Sequence, residues 1–512
     1  MIVPLPKRPD KPFDLELVNV TKRFGSFVAN DSVSMKIPAG SFHALIGENG
    51  AGKSTLVKCI MGFHTADEGD ILIHGHSREI KSPYDAYQLG IGMVYQHFTL
   101  IPAMTVAENL VLSRPDIPAV IHWKQEMARL REFMLHAPFQ VDLDSPASQL
   151  AAGEKQKVEI LKQLYLESKF LILDEPTSVL TPSEADEVLG LIRQKVKAGE
   201  LSVLIITHKF REVFGFCDRV TVLRRGKFTG GGEVKDFTKD DLATLMMGSG
   251  RRSGAVAKVA RERGPAALEI KDLCANKDSG VPALNDATLT VHEGEIIGIA
   301  GVSGNGQREL VEVLAGQRSP TAGEVLVHKE NYRARRFEAS KHQVFLLPEE
   351  PLRNACVPQM SVAENIAFRT FDRPPMTRGR VFLSRKAIRN FAQGMITRFS
   401  VKTRSPDTPI GDLSGGNVQR AVLARELGQG TARILITANP CFGLDFAAVD
   451  SIHAQLMEAR NRGVAVLLVS EDLDELLALA DRLFVISHGS LVHETTPADA
   501  DIKTIGHHMA GH

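Results

Sequence analysis

At 512 residues the chain is too long for one compact domain and suits two or three. Hydrophobic residues make up 43% and charged residues 24%, as in ordinary globular domains. The formal net charge is zero, so no overall positive charge would attract nucleic acid. The longest apolar runs are shorter than the roughly 18–20 residues that cross a bilayer, and the N-terminus lacks a signal-peptide core, so we expect an intracellular protein that does not span a membrane alone.

The first apolar strand predicted along the chain, residues 42–46, is followed by G-E-N-G-A-G-K-S-T and then by a helical pattern. This order of strand, glycine-rich turn and helix is that of a phosphate-binding loop. In such a loop the backbone N–H groups and the N-terminus of the helix face the phosphates. Lys53 is expected at the β- and γ-phosphates, and Ser54 at a magnesium ion. The predicted nucleotide-binding residues of the loop are Gly47, Glu48, Asn49, Gly50, Ala51, Gly52, Lys53, Ser54 and Thr55.

A second buried strand, residues 170–173, ends in two carboxylates, Asp174 and Glu175. Ligand-facing groups in parallel α/β sheets lie at the carboxyl ends of the strands. We therefore expect Asp174 to support magnesium and Glu175 to orient or deprotonate an attacking water. A further apolar strand is predicted at 203–206.

The second half of the chain repeats the first. G-E-N-G-A-G-K-S-T at Gly47 is answered by G-V-S-G-N-G-Q-R-E at Gly301, and V-A-E-N at Val106 recurs at Val362. Strands are predicted again at 296–300, 434–437 and 464–469, and apolar strands alternating with helices indicate a parallel sheet covered on both faces. The sequence therefore predicts two copies of one α/β domain, at 1–248 and 265–512. Residues 249–264 are rich in Gly, Ala and Arg and are predicted to be a linker; their positive charge could contact anionic lipid, but the composition favours a solvated tether.

Taken in order, the phosphate loop, Gln96, a signature segment, L-I-L-D-E-P-T-S and I-I-T-H resemble the ATP-binding cassette (ABC) family over nearly the whole chain, twice. The resemblance implies two tandem P-loop domains, each with a mainly parallel sheet, a smaller antiparallel part and a helical subdomain. It also implies ATP and Mg²⁺ as ligands, with Gln96 reaching the metal and coupling the nucleotide to a membrane partner. By the same resemblance, His208 contacts the γ-phosphate and Phe24 stacks on adenine.

The second copy departs from the family pattern at its nucleotide-binding positions. Gln307 and Arg308 stand in place of Lys53 and Ser54, while Ala438, Asn439 and Glu471 stand in place of Asp174, Glu175 and His208. Losing the lysine charge about 4 Å from a phosphate forfeits on the order of 4 kcal/mol at an effective dielectric near 20. The second site is therefore predicted not to hydrolyse ATP well.

The signature segment departs from the family pattern in the first copy, which is the half that keeps the intact phosphate loop. The second copy keeps Ser414, Gly415, Gly416 and Asn417, whereas the first has Ala151 in place of the serine. The family's head-to-tail pairing implies that the two cassettes pair within the chain, and that the intact loop of the first copy meets the intact signature of the second. One working and one degenerate site are expected.

The fused pair resembles importer ATPases for nucleosides and for simple sugars, and the stretches 92–98, 158–165 and 174–182 favour the nucleoside branch. The expected partners are multi-span permease subunits and, indirectly, an extracytoplasmic solute-binding protein, with the chain peripheral at the cytoplasmic face of the membrane. No nucleic-acid partner is expected. A pentose or hexose importer is the alternative, and a soluble translation factor with two cassettes is a remote one.

Overall fold

The computed structural model describes residues 9–510 except 49, 97, 116, 118, 119, 179, 181, 249–255, 260–262, 303, 379–381, 443 and 445. The predicted loop residue Asn49 and most of the predicted linker lie outside the described residues. The chain forms two compact units, Met1–Arg251 and Arg252–His512, and each has its own hydrophobic core.

The first unit contains ten strands and eight α-helices among its described residues. The strands are β1 (Leu15–Phe24), β2 (Phe27–Ile37), β3 (Phe42–Gly47), β4 (Glu68–Ile73), β5 (His76–Ser77), β6 (Ile91–Val94), β7 (Phe170–Asp174), β8 (Ser202–Ile206), β9 (Arg219–Arg224) and β10 (Lys227–Glu233). The helices are α1 (Lys53–Ile60), α2 (Pro83–Gln88), α3 (Val106–Leu112), α4 (Trp123–His136), α5 (Ala152–Tyr165), α6 (Pro182–Lys197), α7 (Phe210–Phe216) and α8 (Lys239–Met247).

These strands form two sheets. The larger has the order β10-β9-β3-β8-β7-β6 and is parallel except for β10, and the smaller is antiparallel with the order β2-β1-β4-β5. The predicted strands at 42–46, 170–173 and 203–206 are confirmed as parts of β3, β7 and β8. All four residues Phe170–Leu173 are fully buried, because the sheet is covered on both faces. The carboxyl ends of β3, β6, β7 and β8 therefore lie along one edge.

The repeated V-A-E-N sequence marks the start of a helix. In α3, Thr105 accepts a hydrogen bond from the Glu108 backbone N–H (3.2 Å), and the Glu108 carboxylate accepts one from the Thr105 backbone N–H (2.8 Å). This reciprocal cap satisfies two backbone donors that a helix start leaves unpaired. Asn109 also pairs with both backbone groups of Ile101 and so fixes the preceding loop. The second copy makes the same contacts.

The second unit repeats this order of elements. Its strands are β11 (Ala266–Asn276), β12 (Pro282–His292), β13 (Ile296–Ala300), β14 (Ala322–Val327), β15 (Glu330–Asn331), β16 (Val344–Leu347), β17 (Thr377–Arg378), β18 (Phe382–Leu383), β19 (Ile434–Ala438), β20 (Ala465–Ser470), β21 (Arg482–Ser487) and β22 (Ser490–Thr495). Its helices are α9 (Gln307–Leu314), α10 (Arg336–His342), α11 (Pro351–Asn354), α12 (Val362–Ala367), α13 (Arg385–Arg398), α14 (Gly415–Leu427), α15 (Phe446–Asn461), α16 (Leu473–Leu479) and α17 (Ile502–Ala510).

The sheets of the second unit match those of the first. The large sheet has the order β16-β19-β20-β13-β21-β22, the antiparallel sheet has the order β12-β11-β14-β15, and β17 and β18 form a separate hairpin. The three strands predicted in this half are confirmed as β13, β19 and β20. Across the described residues of both units, every helix is too short or too polar to cross a bilayer.

The described part of the predicted linker differs from a solvated tether. Lys258 donates to the carbonyl of Ala480 (2.9 Å) and pairs with Asp481 (2.8 Å), while Asn461 bonds the backbone of Ala257 and Val259. Composition indicated a tether because the segment lacks apolar periodicity, but backbone hydrogen bonds and two ion pairs, Lys258–Asp481 and Arg263–Glu295 (3.8 Å), fix it to the second unit.

Candidate functional site

The phosphate loop of the first unit leaves the carboxyl end of β3 and enters α1 at Lys53. Gly50 and Gly52 have φ of 79° and 97°, in the left-handed region that side chains disfavour. A Cβ at Gly52 would also lie 2.5 Å from the carbonyl oxygen of Ala29. Glycine is therefore required where the chain turns from strand to helix, and the first N–H groups of α1 are left open to a ligand.

Lys53 lies at the start of this helix and is buried. Its Nζ donates to the carbonyl oxygens of Gly47 (2.7 Å) and Glu48 (3.1 Å), so the ammonium group curls over its own loop. Burial lowers the pKa of Lys53, while the carboxylates of Glu175 and Asp174 act in the opposite direction. A phosphate chain in the loop would supply the negative charge that this buried cation lacks.

Four motif segments converge because each follows one of the parallel strands whose carboxyl ends share an edge. Glu175, directly after β7, accepts a hydrogen bond from Gln96 Nε2 (3.2 Å), and its other oxygen lies 3.3 Å from His208 Nδ1. The Glu175 backbone has φ of 48° and its N–H donates to Ile206 at the end of β8. The structure thus brings together Lys53, Gln96, Glu175 and His208.

The electrostatics of Glu175 favour its ionised form. Burial acts to raise its pKa, but the hydrogen bond and charge of His208, together with the charges of Lys53 and Lys209, outweigh burial and lower it. The carboxylate is consequently charged at neutral pH and can accept a proton or hold a water.

A buried network beneath the site was missed by the sequence reasoning. Glu212 on α7 accepts hydrogen bonds from Thr177 and from Thr207 (2.6 Å to the latter), and Lys209 donates to the Thr177 carbonyl (3.0 Å). These contacts fix the segments on either side of Glu175 and His208. Comparison of the repeats offered a signal, because Glu475 recurs at the equivalent place in I-I-T-H-K-F-R-E and L-V-S-E-D-L-D-E.

The residues predicted to hold a metal offer oxygen ligands. Ser54 is exposed in the first turn of α1, Asp174 ends β7, and the Gln96 side chain reaches Glu175, the residue after Asp174. Hydroxyl, carboxylate and amide oxygens are the donors that Mg²⁺ prefers, so this set fits that ion. The next loop residue, Thr55, is half-buried in the same turn.

Phe24 ends β1 and keeps 45% of its surface exposed. Its ring makes an edge-on contact with His64 (5.2 Å between centroids) and lies 5.6 Å from Lys22 Nζ. An exposed aromatic face of this kind is available for stacking, and its contact with adenine stays a prediction.

The predicted signature residues Ser414, Gly415, Gly416 and Asn417 begin α14 in the second unit. Ser414 is exposed at the helix start, and Asn417 Nδ2 donates to its Oγ (2.8 Å). Ala151, at the same place before α5 in the first unit, has no hydroxyl to offer. The role of the signature in ATP binding stays a prediction.

The loop of the second unit keeps the backbone shape without the cation. Gln307 Nε2 donates to the Val302 carbonyl (2.9 Å), whereas its Oε1 is buried without a partner among the described residues. Arg308 extends along its own helix to Glu312 (2.7 Å) and is largely exposed. Beside them lies a cavity of only about 40 Å³.

One hydrogen bond of the first site survives in the second with donor and acceptor exchanged. In the second unit Asn439 Nδ2 donates to the carboxylate of Glu349 (3.0 Å), whereas in the first the amide of Gln96 donates to Glu175. Asn439 has φ of 42°, close to that of Glu175, and its Oδ1 accepts the Glu471 backbone N–H (2.9 Å). In the second unit the carboxylate therefore lies on the loop, at Glu349, and the position equivalent to Glu175 carries the amide of Asn439, which cannot act as a base on water.

Two segments of the chain, 30–178 and 284–441, match the ABC transporter family. The glucose import ATP-binding protein TsgD13 of Haloferax volcanii is 39% identical over 98% of this chain and 96% of its own length. The nucleoside import ATP-binding protein NupA of Lactococcus lactis is 38% identical over 97% of this chain and 98% of its own length. The chain belongs to the ABC transporter family. It is an ATPase of that family, and its ABC domains bind ATP.

This membership confirms the predicted family, fold class and ATPase activity. A solved archaeal ribosome recycling factor, bound to a ribosomal stalk protein, also resembles the chain, with a TM-score of 0.61 over 93% of this chain and 90% of that one. At 19% identity, this likeness concerns the fold alone.

Proposed function

We propose that this protein is the ATPase subunit of an importer, peripheral at the cytoplasmic face of the cell membrane and bound there to multi-span permease subunits. The observation that carries this proposal is the set of contacts joining Gln96, Glu175 and His208 beside Lys53. The Glu175 carboxylate beside the phosphate-binding loop is suited to ATP hydrolysis. The Gln96 amide lies on the adjoining loop, where its position can change with the bound nucleotide and be passed on to a partner subunit.

The proposed mechanism assigns one task to each of these groups. The loop N–H groups and Lys53 hold the β- and γ-phosphates, for which Lys53 exchanges its bonds to Gly47 and Glu48 for phosphate oxygens. Glu175 orients the water and takes its proton, while His208 contacts the γ-phosphate. Mg²⁺ bound by Ser54, Asp174 and Gln96 would offset charge on the phosphate oxygens.

We further propose that one site hydrolyses ATP. The second unit has neither the lysine nor the carboxylate that the mechanism needs, since Gln307 and Asn439 stand in their places. Its signature residue Ser414 serves the nucleotide held by Lys53, in line with the family's head-to-tail pairing.

The proposed solute is a nucleoside or a related purine-like compound, delivered by an extracytoplasmic solute-binding protein. The nucleoside-type stretches at 92–98, 158–165 and 174–182 and the 38% identity to a nucleoside import protein support this choice. A simple sugar is the second candidate, favoured by the 39% identity to a glucose import protein.

Reconstitution tests both parts of this proposal. The chain is assembled in lipid nanodiscs with the permeases and binding protein encoded beside its gene, and ATP hydrolysis is measured with a purine nucleoside, ribose or glucose. We expect assembly to raise turnover, and the loaded binding protein to raise it further with the nucleoside only. Stimulation by a sugar alone would overturn the solute assignment, and co-purification with ribosomes without permeases would overturn the importer.

A further inference from the structure

A buried carboxylate, Glu159 on α5, holds the loop that carries Gln96. Its side chain is 1% exposed and accepts hydrogen bonds from the backbone N–H of Thr99 and from Thr99 Oγ1 (2.9 and 3.0 Å). Lys162, one turn further along α5, lies 2.5 Å from both the Glu159 carboxylate and the Thr99 hydroxyl. The Thr99 side chain and N–H are thus tied to a buried ion pair.

The loop is consequently held at two points by two carboxylates. Gln96 bonds to Glu175, which faces the nucleotide loop, and Thr99, three residues later, bonds to Glu159. Three residues span at most about 10 Å, so a displacement at Gln96 has little slack before it reaches Thr99.

From α5 the connection continues into the neighbouring helices. Tyr165, at the end of α5, makes an edge-on ring contact with Phe133 of α4 (5.2 Å between centroids). Helix α3 also contacts α5, and Arg114, just after α3, pairs with Glu126 of α4 (2.8 Å). Hydrogen bonds to a charged, buried group are stronger and more directional than apolar packing, so Glu159 is the stiff step between loop and helix.

Among the described residues of the second unit, the equivalent loop is held differently. The alignment of Val106 with Val362 pairs Thr99 with Ala355, and that of Leu150 with Leu413 pairs Glu159 with Val422. Ala355 has no hydroxyl, and its carbonyl accepts a hydrogen bond from Arg425 (2.7 Å) instead. The carboxylate–threonine tie is therefore specific to the first unit, whereas in the second the buried Arg425–Glu426 pair (2.6 Å) holds the loop through a backbone carbonyl.

We propose that Glu159 is a positioning residue that transmits the nucleotide-dependent movement of the Gln96 loop into α5 and the helices packed on it. This inference rests on the proposed role of Gln96 at the nucleotide, and it is independent of the solute. Removal of the Glu159–Thr99 hydrogen bonds should leave ATP binding intact, while nucleotide should no longer change the position of α5 and the helices packed on it.

The chain has a single tryptophan, Trp123, at the start of α4, where it reports on these helices. The experiment adds a non-hydrolysable ATP analogue and Mg²⁺ to the wild-type full chain, which keeps the Gln96–Glu175 bond, and follows tryptophan fluorescence while the radiolabelled analogue measures binding. We expect a fluorescence change that Glu159→Gln largely removes at unchanged ATP affinity. In the wild-type background Glu159→Gln should lower kcat about tenfold at unchanged KM, as loss of a charged hydrogen bond implies.

Lys157→Gln is the matched control, because Lys157 lies on the same helix but pairs with Glu187 of α6 (3.2 Å), and it should behave as the parent. Thr99→Val removes the hydroxyl while leaving the Glu159–Lys162 pair, so it should show the same loss in weaker form even if Glu159→Gln folds poorly. A full fluorescence change in either variant, ATP affinity falling with kcat, or a parent that gives no change would each overturn the proposal. Loss of solute stimulation with an intact tryptophan response would count against the importer function alone.

Discussion

Replacing Glu175 with glutamine should abolish turnover and spare ATP binding. The carboxylate is the group placed to act on the attacking water, and glutamine has its shape without its basicity. Loss of a general base lowers the rate roughly 10²–10⁴-fold. At 1.36 kcal/mol for each factor of ten, that is about 3–5 kcal/mol of transition-state stabilisation.

The ground-state effect of this substitution is smaller. Glu175 accepts hydrogen bonds from Gln96 and His208 at 3.2 and 3.3 Å, and one of the two would face the new amide N–H₂. A lost hydrogen bond of this kind costs about 1 kcal/mol, which changes ATP affinity by less than about tenfold. The rate effect therefore exceeds the binding effect by at least an order of magnitude.

Phosphate release under saturating ATP measures kcat, and equilibrium binding of a fluorescent ATP analogue measures affinity. Glu187→Gln is the matched control, since it changes an exposed glutamate of α6 that pairs with Lys157, and its kcat should equal that of the wild type. A Glu175→Gln protein that kept more than about a tenth of wild-type turnover would show that another group activates the water.

Three further predictions concern the same site. Lys53→Ala and Ser414→Ala should each nearly eliminate turnover in a phosphate-release assay. The double variant should be little worse, because the effects of residues that act as a unit are not additive. Fully additive losses would show that the two residues act independently. Single-turnover hydrolysis should consume one ATP per chain and should continue in Gln307→Ala, whereas two equivalent ATPs per chain would refute the one-site proposal. The lowered pKa of Glu175 keeps its ionised form present as pH falls until that pKa is reached, so kcat/KM should show no acid limb from this residue between about pH 5.5 and 8. A carboxyl infrared band that titrates in that range in the wild type and is absent from Glu175→Gln would contradict this.

The sequence was most informative where a motif directly follows a buried strand. The run at 170–173 predicted β7, and the carboxyl-end rule for parallel sheets then predicted where Asp174 and Glu175 would lie. Because Gly47 ends β3 and His208 follows β8, both of which were predicted as strands, their convergence with Glu175 could be expected, whereas the strand before Gln96, β6, was not among the predicted ones.

Contacts between distant segments could not be predicted in this way. The bonds from Thr99 to Glu159 join residues 60 positions apart, and although Glu159 lies in the nucleoside-type stretch 158–165, that resemblance does not predict its partner. Similarly, Lys258 lies in a stretch whose composition indicates a tether, and its pairing with Asp481 depends on where the second unit places that carboxylate. Such contacts arise from tertiary packing, which local patterns do not encode.

The exchanged hydrogen bond between Asn439 and Glu349 has a consequence for the history of the second half. Asn439→Glu alone would set two carboxylates against each other, and the resulting repulsion would keep one of them protonated and unable to serve as a base. Glu349→Gln alone would leave two amides and no base. Each single reversion gives an inactive site, and Gln307 would still need to become lysine. Selection for hydrolysis therefore has no route back through single substitutions, and mutational drift cannot readily restore an active second half.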